Sequence, residues 1–139
     1  SIHQIGIEVL QDKGGSTMYQ LAIKQRLEQA GTEYDKGLER FMGNVALYHK
    51  FLLKFLADHS YEEFRQALER GDLPVAEKSV HTLKGTAGNL SLMALFHAAD
   101  DTVQAIRAGK KGDELQSFTQ AVRENYDTAC EAIRDALSE

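Results

Sequence analysis

The chain has 139 residues, a length that suits one domain around one core. Hydrophobic residues make up 42% and charged ones 27%, the balance of a folded, soluble protein rather than a disordered one. The net charge of −5 comes with no basic stripe and argues against a nucleic-acid surface. Residues 1–16 admit two readings. Ile2, Ile5, Ile7 and Val9 alternate as in a strand, but Gly14-Gly15-Ser16 ends the run and no second strand follows. An arm or linker is therefore expected there, followed by an amphipathic helix from Thr17 to Gln29 that carries Met18, Leu21, Ala22 and Leu27. On this reading residues 1–31 are a linker or arm with a helix, and residues 32–139 form the domain proper.

From Thr32 the pattern firms. Tyr34 to Met42 reads as a short helix closed by Gly43. Asn44 caps the next one, whose apolar positions are Val45, Tyr48, Phe51, Leu52, Phe55 and Leu56. Ser60 and Glu63 have capping-box spacing and open a helix with Phe64, Ala67 and Leu68, which Gly71 ends. Asp72 caps the following helix, with Pro74 in its first turn. Ser91 is a candidate cap for the helix after that, with Leu92, Leu95, Ala99, Val103 and Ile106 facing inward and Gly109 at its end. A long last helix opens near Asp113, and Leu115, Phe118, Val122, Tyr126, Ala129, Ile133 and Leu137 recur along it. Short connections turn neighbouring helices back on one another. The expected architecture is all-α, an antiparallel up-and-down four-helix bundle with additional short N-terminal helices.

The helix after Asp72 carries the chemistry. A helix turns by about 100° per residue, so His81, Lys84, Gly85 and Gly88 share one stripe. Leu73, Ala76, Val80, Leu83, Ala87 and Leu90 fall on the opposite, core-facing one. His81 thus faces water or a partner. Each glycine costs about 1 kcal/mol against alanine inside a helix, so the pair calls for a reason, and access for another protein to the imidazole supplies one. A neutral imidazole nitrogen is a nucleophile near pH 7. A lysine three residues on is its surface neighbour and would neutralise the oxygens of a phosphoryl group on the ring. An open helix face suits an in-line phosphoryl donor carried by another protein and suits a small substrate poorly.

The run His81-Thr82-Leu83-Lys84-Gly85-Thr86-Ala87-Gly88-Asn89-Leu90 resembles the signature of histidine-containing phosphotransfer (Hpt) domains. The resemblance continues upstream through Asp35-Lys36-Gly37-Leu38-Glu39-Arg40-Phe41-Met42-Gly43-Asn44, Leu47-Tyr48 and Phe51 to Phe55, and covers residues 32–137. It implies that His81 accepts a phosphoryl group from a receiver-domain aspartate and passes it to an aspartate of a response regulator. Lys84 would steady the phosphoryl oxygens and Gly85 would leave room for the incoming receiver, with Gly88 in a supporting place. Gln104, on the adjacent helix, would orient the imidazole through its other nitrogen, and Arg107 would add positive charge. The resemblance implies no cofactor of the domain's own, with Mg²⁺ supplied by the partner receiver. It implies a monomeric carrier without autokinase activity, either stand-alone or the C-terminal module of a hybrid sensor kinase. Two departures stand out: Ser91 where the family usually has glycine, and Thr102-Val103 where it often has Leu-Glu.

Blander readings hold elsewhere. His3, His49, His59 and His97 lack such company, and His97 with Asp100 and Asp101 reads as a solvated face rather than a metal site. Leu38, Phe41 and Met42 either pack the short helix onto the bundle or dock a partner. The single Cys130 fits a reducing compartment. No apolar run approaches the roughly 20 residues that span a bilayer, so a cytoplasmic location without direct membrane contact is expected. The start at Ser1 hints at a piece of a longer chain. The competing function is a non-catalytic helical adaptor, against which the retention of both His81 and Lys84 speaks.

Overall fold

Glycine-punctuated turns separate the stretches of helical periodicity, and over residues 18–138, which the computed structural model describes, each stretch is a helix. These are α1 (Met18–Gln29), α2 (Tyr34–Arg40), α3 (Val45–Phe55), α4 (Ser60–Glu69), α5 (Leu73–Asn89), α6 (Met93–Arg107) and α7 (Gln116–Leu137), with a 3-10 turn at Gly112–Leu115 before α7. The arm expected over residues 1–16, with His3 and Thr17, lies outside the described residues.

Local chemistry sets the helix starts. The Asn44 side chain accepts the Leu47 N–H at 3.0 Å, and Asp72 accepts that of Val75 at 3.2 Å, so two orphan donors are satisfied. Ser60 does not cap α4. It is already helical, and Asp58 accepts both its N–H, at 2.9 Å, and its hydroxyl. Ser91 does not cap α6 either, because Leu92 holds that position without a side-chain bond. Ser91 instead ends α5 with φ +58°. Its N–H reaches the Gly88 carbonyl at 3.1 Å and that of Leu92 reaches Ala87 at 2.9 Å, the two bonds of a Schellman motif. The same pair of bonds closes α4 at Gly71 and α6 at Gly109, so Ser91 occupies a place built for glycine.

Helices α4 to α7 follow one another back and forth, and α1 and α3 lie against α7. Leu52, Phe55, Phe64, Val80, Leu83, Leu95, Val103, Val122 and Ile133 fill one continuous core. The sequence pattern leaves α1 in an arm ahead of the domain. In the structure its Ile23 and Leu27 are 1% and 0% exposed within that same core, and Arg26 pairs with Asp135 of α7 at 2.8 Å. Its periodicity is that of a packed helix, and α7 is what it packs on.

The N-terminal elements also hold the α5–α6 turn. The N–H of Glu33 donates to the Ser91 carbonyl at 2.9 Å, and that of Ala94 to Gly31 at 3.1 Å. The buried Tyr48 hydroxyl donates to the Leu90 carbonyl at 2.8 Å. Tyr48 lies so close to the backbone of α2 that a Cβ on Gly37 would run into its ring and hydroxyl.

Candidate functional site

Helix α5 turns Ala76, Ser79, Val80, Leu83 and Ala87 into the core. That fixes the opposite side of the helix, where His81 is exposed with neither a hydrogen bond nor an ion pair to any described residue. Thr82 beside it is exposed too, and its hydroxyl is turned back onto the Lys78 carbonyl at 3.1 Å. The imidazole therefore stands open to solvent on this face.

The three-residue turn at 90–92 sets the register of the α5–α6 hairpin, which three contacts mark out. Gly88 meets Phe96 nearest the turn. Lys84 Nζ then pairs with Asp100 Oδ1 at 2.9 Å, and farther down Arg107 Nε donates to Glu77 Oε2 at 3.2 Å. His81 falls between the last two rungs, level with Val103 and Gln104. Of these, Val103 is buried and Gln104 exposed.

The expected site residues divide on this geometry. Lys84 shares the face of His81, but its ammonium is held on α6 by Asp100 and lies over the Phe96 ring, 5.9 Å from its centroid. Gly85 is open, since a Cβ there would meet nothing within 4 Å. Gly88 has a different reason to be glycine: a Cβ would come within 3.1 Å of Phe96 Cδ1, so the space is taken by this chain's own ring rather than left for a partner. Gln104 stands at the level of His81, yet its amide donates to Asp100 Oδ1 at 3.4 Å and not to the imidazole. Arg107 is one turn away and already paired with Glu77.

Asp100 is the residue that the sequence hides. Its carboxylate accepts from Lys84 and Gln104, and the Lys84 hydrogen bond, above all, holds its carboxyl below the usual carboxylate range. Only the hairpin register could have singled it out, because nothing local distinguishes it from the exposed Asp101. Among the described residues no group of three His, Cys, Asp or Glu side chains could hold a metal ion, and no helix is long and apolar enough to cross a membrane.

A groove of about 790 Å³ runs beside this face, lined by Thr86 and Asn89 of α5 and by Arg40, Phe41, Phe51 and Lys54. Phe41 packs on Tyr48 and Phe51, and Leu38 on the core, so these two serve the bundle. Met42 does not: it is 95% exposed.

Residues 53–139 match the family model of the Hpt domain. No curated protein and no solved structure matches the chain.

Proposed function

Because the chain belongs to the Hpt domain family, whose role is phosphotransfer in two-component signalling, we propose that His81 is its phosphoryl carrier and that its partners are receiver domains. The observation that carries the reading is the exposed His81 on α5, unpartnered among the described residues, with open backbone at Gly85 and an ammonium one turn away at Lys84.

The step is a displacement at phosphorus. The unprotonated ring nitrogen of His81 donates its lone pair to the phosphorus of an aspartyl phosphate, and the P–N bond forms. The P–O bond to the aspartate breaks, and its electron pair leaves with the carboxylate. The other ring nitrogen keeps its proton, so the ring becomes cationic and balances part of the phosphoryl charge. The reverse step, onto the aspartate of a response regulator, restores the neutral imidazole. Such a transfer needs mainly alignment and charge stabilisation. The exposed face gives a receiver in-line access, and Lys84 offsets charge on the phosphoryl oxygens. Any Mg²⁺ in the transfer is carried by the receiver's carboxylates.

The test is incubation with a receiver domain phosphorylated on its aspartate, followed by assay for acid-labile, alkali-stable phosphate. His81→Gln abolishes the label and changes stability by less than about 0.5 kcal/mol, since an exposed side chain contributes little packing. Lys84→Ala slows transfer roughly tenfold, the scale of one charge-assisted contact. A label that persists in His81→Gln refutes the assignment. A receiver that binds the domain without transferring phosphate leaves the adaptor as the better reading.

A further inference from the structure

On the reading of His81 as the carrier, we infer that Asp100 is a positioning residue which competes with the phosphoryl group for the Lys84 ammonium and so restrains phosphorylation of His81. Lys84 belongs to α5, one turn from His81, but its charge rests on α6: Nζ is 2.9 Å from Asp100 Oδ1 and sits over Phe96. Asp100 is itself held, since Gln104, level with His81, donates to the same oxygen at 3.4 Å. The ion pair is partly shielded, with side-chain exposures of 25% and 34%, so it is neither a freely rotating surface pair nor a locked buried one.

That balance has a chemical consequence. A phosphoryl dianion on the ring attracts Lys84 more strongly than a single carboxylate does, and the lysine stem is flexible enough to swing between them. Before phosphorylation the ammonium is parked. As charge develops on the phosphoryl oxygens it moves over, and the Asp100 pair is given up. Exposed and half-exposed pairs are weak, so breaking this one slows loading by a few-fold at most. The same competition makes the phosphorylated state less stable and hence a readier donor to the next receiver. Asp100 touches no reacting atom and acts only through Lys84.

The experiment loads the whole domain with phosphoramidate, a small donor whose P–N bond to ammonia breaks as the bond to His81 forms. Intact-protein mass follows the initial rate in the wild type, His81→Gln, Asp100→Asn, Asp100→Glu, Lys84→Ala and the Lys84→Ala/Asp100→Asn double variant. Asparagine keeps the acceptor for Gln104 and removes only the charge. The expected result is loading about threefold faster in Asp100→Asn, a rate near wild type in Asp100→Glu, and no effect of Asp100→Asn once Lys84 is gone. An unchanged rate in Asp100→Asn overturns the competition. So does an equal gain in the Lys84→Ala background, which would show a direct repulsion of the donor rather than an effect through the lysine. Loading that is as fast in His81→Gln as in the wild type fails the carrier reading itself, and the two failures are told apart by that variant.

Discussion

Replacing Gly37 with alanine adds one methyl group to α2 and should destabilise the protein by about 2 kcal/mol. The new Cβ would overlap the hydroxyl and ring of Tyr48, which is 0% exposed and cannot swing aside. Overpacking of that kind costs typically 1–3 kcal/mol. Moving Tyr48 also breaks its 2.8 Å bond to the Leu90 carbonyl, and a buried acceptor left unpaired adds about 1 kcal/mol or more. Against these stands the helix propensity of alanine over glycine, worth about 1 kcal/mol the other way. Equilibrium urea denaturation, followed by far-UV circular dichroism, reads the balance as a lower midpoint at unchanged slope. Tyr48→Phe separates the contributions: it removes the bond and the first clash but leaves the ring carbons in place, so Gly37→Ala should cost less in that background without becoming neutral. A Gly37→Ala variant as stable as the wild type, or more so, would refute the reasoning, because propensity alone would then decide the position.

Thr32 has a buried hydroxyl oxygen with no hydrogen-bond partner among the described residues, so Thr32→Val, of nearly the same shape, should raise stability by about 1 kcal/mol in the same assay. Ser91→Gly should raise it by roughly 0.5–1 kcal/mol, since glycine adopts φ +58° without the penalty that serine meets, less the entropy glycine brings to the unfolded chain. Burial lowers the pKa of His49, whose ring Nε2 is hydrogen-bonded to the Tyr34 hydroxyl at 2.6 Å; burial likewise pushes Tyr34 up to about 12, so that hydroxyl keeps its proton. The folded state therefore binds the His49 proton less readily than the unfolded one. Stability from this site is fully present above the ordinary histidine pKa of about 6.5 and is lost as pH falls through the lowered value. Denaturation midpoints between pH 7.5 and pH 5 should fall with acid in the wild type and fall less in His49→Gln; equal slopes would contradict the assignment.

Much of the helical pattern was legible because it carries local punctuation: Asn44 and Asp72 start helices with their side chains, and Gly71 and Gly109 end them at positive φ. His81 was legible because the core stripe of α5 fixes which side is left outside. What stayed hidden depends on neighbours far along the chain. The role of Asp100 follows from the register between α5 and α6, which a periodicity cannot report. Gly88 has the same signature as Gly85, yet one faces Phe96 and the other open space. Ser91 looks like a cap from its chemistry, and only the backbone shows that it closes the helix before it rather than opening the one after. Helix α1 reads as an appendage because its burial is against α7, at the other end of the chain.

The stitching of the α5–α6 turn bears on how the protein can be divided. The segment that matches the family begins at residue 53, within α3. Cutting there would keep His81, Lys84 and the four consecutive helices, but it would remove Tyr48 from the Leu90 carbonyl and Glu33 from that of Ser91. It would also bare the side of α7 on which Ile23 and Leu27 are packed. The smallest portion expected to fold as the whole does is therefore larger than the portion that matches the family. Its added length works as a clasp, closing the end of the hairpin from which Lys84 and Asp100 are aligned.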